Sequence, residues 1–123
     1  MNDQSLIKHA ADAYEAIRAL NHGTYRTIPA PLAYSLLGNL RSLGVALSQL
    51  ADQIDAGLRS SLTTHDVYDD NRDPAASVEL ADEALNKAAD HANDMAWLFG
   101  RAQEAIAWQG YRTDNDDDEE GQR

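Results

Sequence analysis

Apolar residues recur along most of this chain at alternating intervals of four and three, the spacing that gathers side chains on one face of an α-helix. Nowhere do they alternate strictly with polar ones, as a half-buried strand requires. Leu6, Ala10, Ala13, Ile17 and Leu20 form the first stripe. Asn2 or Asp3 can cap its start, and Gly23 stands where a left-handed residue would close it, so a helix over about 3–21 is expected. Pro29 and Pro31 hold the following segment extended or turned, and Pro31 suits a first helical position. From there Leu36, Leu40, Leu43, Leu47, Leu50, Ile54 and Leu58 predict a second helix over 31–62. Gly38 and Gly44 each weaken it by up to ~1 kcal/mol relative to Ala, which a close helix–helix approach would explain. Asp73-Pro74 reads as N-cap plus first-turn proline. The run Val78, Ala81, Leu85, Ala88, Ala92, Met95, Phe99, Ala102 and Ile106 carries a third helix over 74–109.

Two long rods, of roughly 46 and 54 Å, joined by a polar connection at 63–73 fold most economically as an antiparallel hairpin. The expected architecture is all-α: a three-helix bundle built on that hairpin, with the shorter N-terminal helix at one end. A single helical domain would span residues 1–113, followed by an acidic disordered tail over 114–123.

Charge sharpens this picture. The chain has 123 residues and a formal net charge of −11. Asp114, Asp116, Asp117, Asp118, Glu119 and Glu120 against Arg123 give the tail −5, and the body keeps −6. An apolar-free, like-charged run buries nothing. Acidity of this degree argues against direct nucleic-acid binding, which needs Lys and Arg to displace counterions. Lacking cysteine, the chain has no disulfide, thiol nucleophile or thiolate metal site. The longest apolar run, 95–99, is far short of the roughly 20 residues of a membrane span. No basic start followed by an apolar block is visible at the N-terminus, so the expected location is cytoplasmic. With 21 Ala, and 8 Arg against 2 Lys, the composition suggests a GC-rich genome, such as an actinobacterium or its phages and plasmids.

Candidate chemistry is sparse. Asp69, Asn71 and Asp73 occupy positions 1, 3 and 5 of an EF-hand pattern, but Pro74 replaces its glycine and Leu80 its bidentate glutamate, so calcium is not expected. Asp52-x-x-Asp55 and Glu79-x-x-Asp82 resemble the acidic pairs with which all-helical nucleotide pyrophosphohydrolases hold magnesium. Asp52 and Glu79, however, fall about 145° and 150° from the apolar stripes of their helices, toward solvent. His9, His22, His65 and His91 form no Glu-x-x-His or His-x-x-x-His pair, and His91 reads as a flank residue. His65-Asp66 lacks an accompanying nucleophile motif, and no metal or cofactor is expected. Trp108-Gln109-Gly110 is similar to the Trp-x-Gly of small secreted helical hairpins of actinobacteria. There the motif sits in the turn between the long helices, and an acid follows the export tyrosine by four residues. Here the turn has no tryptophan and Asn115 stands four after Tyr111, so membership is not claimed.

Trp97, Arg101, Glu104 and Trp108 are spaced 4-3-4 and make a second stripe on the third helix, about 150° from the first. With Leu98, Phe99, Ala105 and Ala107 between the stripes, this end of the helix needs burial on more than one side. The expected cover is the first helix; the other reading is a protein partner or a homodimer, since Trp and Arg anchor interfaces. The leading functional expectation is a non-enzymatic, acidic helical interaction or accessory protein, regulatory and from a mobile element. Its working surfaces would be the tryptophan stripe and the acidic tail. The alternatives are an acidic nucleic-acid mimic that inhibits a basic protein, and a magnesium-dependent pyrophosphohydrolase-like enzyme using Asp52, Asp55, Glu79 and Asp82.

Overall fold

A computed structural model describes residues 1–113, and among these it contains three α-helices and no strand. They are α1 (Asp3–Gly23), α2 (Ala30–Thr64) and α3 (Pro74–Ala105), with α2 and α3 packed as an antiparallel hairpin. Fold class and hairpin are those the spacing predicts. The acidic tail at 114–123 lies outside the described residues.

Local chemistry sets the ends. The Asn2 side chain accepts from the Ser5 N–H at 2.8 Å, and the Asp73 carboxylate accepts from Ala76 N–H at 3.3 Å. Pro29 caps α2, its carbonyl accepting from Ala33 N–H at 3.0 Å, so Pro31 falls second in the helix rather than first. Gly23 does not take the left-handed conformation expected of it. Thr24 closes α1 instead, donating its N–H (2.9 Å) and its hydroxyl (2.7 Å) to the Leu20 carbonyl. α3 stops at Ala105, four residues earlier than predicted. Beyond it the bonds tighten to i→i+3, from Ile106 N–H to Gln103 O (3.3 Å) and from Ala107 N–H to Glu104 O (3.2 Å).

The residues that join α2 to α3 are small. Gly44, Ser48 and Ala51 on α2 and Ala89, Ala92, Ala96 and Gly100 on α3 are the buried positions. A Cβ on Gly44 would lie 2.9 Å from the Ala96 Cβ, so the glycine permits the approach the sequence suggested. Near the open end Gln103 donates from its amide to the Tyr34 carbonyl at 3.0 Å, fixing the register. The leucine stripe of α2 does not form this seam; it stands about a quarter-turn round the helix. Short side chains bring the axes together, and the leucines are left along one edge of the contact.

α1 packs against neither α2 nor α3 and contains no buried residue. Its local support includes ion pairs Lys8–Asp12 (2.7 Å) and Glu15–Arg18 (3.4 Å), each contributing about 0.3–0.5 kcal/mol at most. Only its last turn adjoins the hairpin, where Leu20 shares a shallow cleft with Ile28, Leu32 and Leu36. The expectation that the first helix covers the tryptophan stripe is therefore overturned. The short connection, held by Pro29, directs α1 away from the end of α3.

Candidate functional site

Displacing the leucines from the seam creates an open trough along one face of the hairpin. Leu47, Leu50 and Ile54 form a ridge on α2, and Ala51, Ala88 and Ala92 a low floor beside it. Leu85 and Met95 close its two ends, and the volume is about 480 Å³. Leu50 and Ile54 remain 49% and 47% exposed in the chain alone. His91 is the one titratable side chain lining the trough, a place at the stripe's flank that agrees with its sequence position.

The opposite face carries charge and aromatics. Trp97 is 63% exposed and Trp108 99%, with the Arg101 guanidinium 5.3 Å above the Trp97 ring in a cation–π contact. Glu104 is exposed in the last turn of α3. Because α3 ends at Ala105, Trp108 lies past the helix and the 4-3-4 stripe is not continuous. The structure thus joins Trp97 to Arg101 but does not extend their surface to Trp108 along one helix.

At the turn end of the seam the acidic pairs divide. Asp52 and Glu79 point to solvent, as their angles predict, while Asp55 and Asp82 face the opposing helix with side chains 13% and 14% exposed. Arg59 lies among them, 2.9 Å from Asp82, 3.7 Å from Glu79 and 3.9 Å from Asp55. The hydrogen bond shared with Asp82 raises the Asp55 pKa above its ordinary 3.8, with burial adding to the effect. Asp55 Oδ1 is buried and has no hydrogen-bond partner. Asp82 moves the opposite way, stabilised as the anion by Asp55 and then by Arg59. A guanidinium therefore stands where the magnesium reading needs a cation, and the four acids do not converge. Sequence angles measured on Asp52 and Glu79 missed the inward pair. The signal was present in the 4-3-4 series Gly44, Ser48, Ala51, Asp55, which marks the true contact face.

The connection between the rods is a self-contained turn. Asp69 accepts from the Asn71 N–H at 2.9 Å, the Arg72 N–H at 3.1 Å and the Ser77 hydroxyl. These bonds, the Ser77 one foremost, hold the Asp69 pKa below 3.8. Both of its oxygens are already committed to the turn. No group of acids and histidines suited to a metal ion occurs among the described residues. His65 pairs with its neighbour, the Thr64 hydroxyl, at 2.8 Å.

Fold and faces define an all-α hairpin with one open apolar side and one aromatic, charged side. No helix among the described residues is long and apolar enough to cross a membrane. Comparison with family models, curated proteins and solved structures finds no match to the chain.

Proposed function

We propose that this protein is a non-enzymatic helical interaction module whose working surface is the apolar trough between α2 and α3. The observation that carries this reading is the half-exposed ridge of Leu47, Leu50 and Ile54 beside a floor of alanines. A continuous aliphatic face of this kind suits the apolar side of another helix. Trp97 and Arg101, on the other face, supply a second and smaller contact site. On this reading the chain is a small cytoplasmic accessory or regulatory protein. Its composition fits a GC-rich bacterium or the mobile elements such a cell carries.

The test is binding of anilinonaphthalene sulfonate at nanomolar protein, where no assembly hides the trough. The wild type should bind the dye, and a Leu50→Glu/Ile54→Glu variant of unchanged helicity should not. A wild type that binds none at any dilution has its trough sealed within the chain, which contradicts the proposal.

A further inference from the structure

We infer that the occupant of the trough is a second copy of this chain, paired face to face into an antiparallel four-helix bundle. The inference rests on the interaction reading and names its partner. Three observations carry it: shape, register and area.

The face is self-complementary. Its ridge lies wholly on α2 and its low floor mostly on α3, so a second copy turned by a two-fold axis parallel to the helices sets each ridge over the other's floor. The register of the seam fixes which residues meet. Gly44 lies against Ala96, and Asp55 against Asp82, so Leu50 stands at the height of Ala88, Leu47 at that of Ala92 and Ile54 at that of Leu85. Rotation about an axis along the helices leaves heights unchanged. Leu50 of one copy then opposes Ala88 of the other and Leu47 opposes Ala92, a large side chain over a small one at both levels, while Ile54 meets Leu85 at the end of the trough. A two-fold axis across the helices would instead stack ridge on ridge and leave both alanine floors empty. All neighbouring helices in the favoured bundle run antiparallel, and the interface is isologous.

Area leaves room for an interface. The chain exposes 9822 Å², against about 6,500 Å² for a compact monomer of this mass, an excess that the open trough shares with the unpacked α1. α1 has a stripe of its own in Leu6, Ala10, Ala13, Ile17 and Leu20, but it packs on neither helix of the hairpin and leaves the trough open.

Absence of native cysteine makes the register directly measurable. Chains carrying Leu50→Cys are mixed with chains carrying Ala88→Cys and oxidised mildly, with Val45→Cys on the opposite side of α2 as control. Light scattering of the unaltered protein is run alongside. The inference expects twice the 13.5 kDa chain mass, and a mixed Leu50–Ala88 cross-link forming at least tenfold faster than any cross-link through Val45→Cys. A Leu50→Cys self-cross-link without the mixed product overturns ridge-over-floor pairing. A monomer that binds the dye overturns the second copy but leaves the interaction reading standing. A monomer that binds no dye overturns both.

Discussion

The seam between α2 and α3 and the trough beside it lie on adjacent faces of the same two helices, yet they are built from opposite materials. The seam is glycine, serine and alanine, closed and buried; the trough is leucine, isoleucine and methionine, half open. In most hairpins the large apolar residues would fill the contact between the rods. Here the small ones fill it, because Gly44 against Ala96 lets the axes approach until no leucine fits between them. The chain therefore spends little apolar area on holding itself together and presents most of it outward. Holding the hairpin together thus falls to the small residues and the open apolar surface to the large ones, with Ala51 and Ala92 shared between the two.

That separation is open to attack from either side. The largest effect is expected at the ridge. Leu50→Glu with Ile54→Glu should weaken self-association at least a hundredfold, on the order of 3 kcal/mol, while circular dichroism stays helical. Sedimentation across a concentration series checks it. Next is the seam: Gly44→Val must push Ala96 away and should cost about 1–3 kcal/mol, lowering the thermal midpoint of the hairpin itself. If ridge and seam are separate, the first variant loses mass without unfolding and the second loses stability. Removing the cap of α3 with Asp73→Ala is a smaller perturbation, about 1 kcal/mol, visible as earlier melting with dimerisation retained.

The Asp55–Asp82 contact gives the seam a pH signature of its own. Asp55 has a folded pKa above 3.8, so its stabilising contribution is complete below 3.8 and is lost as pH rises through the raised value. Asp82 and Asp69, with lowered values, contribute fully above 3.8 and lose that contribution as pH falls through their folded values. Asp55→Asn keeps a donor toward Asp82 and removes only the first dependence. Its midpoint should exceed that of the wild type at neutral pH and converge with it below about 3.8. The smallest expected change is in tryptophan emission. Trp97 and Trp108 are exposed and line no part of the trough, so their emission should be red-shifted and nearly the same above and below the concentration of assembly.

Much of the fold was legible in the chain because periodicity, prolines and caps all act locally. Asn2, Asp73 and Pro74 mark the starts of α1 and α3 where the structure places them. The facing of the helices was less legible. A leucine stripe signals an apolar face but not which chain covers it, and the Gly44–Ala51 series that makes the contact has almost no hydrophobic contrast. For the same reason the inward facing of Asp55 and Asp82 was not legible, and the trough, which depends on rotation about a helix axis, could not be drawn. The cover expected over Trp97 and Trp108 failed because it depended on the path of six residues, 24–29, between two helices. The Thr24 closure and Pro29 set that path.

Pairing through the trough is tested most directly by the mass of the unaltered protein in solution, measured by sedimentation equilibrium from nanomolar to tens of micromolar. It requires a reversible rise from 13.5 kDa to twice that value, absent in Leu50→Glu/Ile54→Glu. A mass of 13.5 kDa throughout, or a dimer that survives both charges on the ridge, would contradict it.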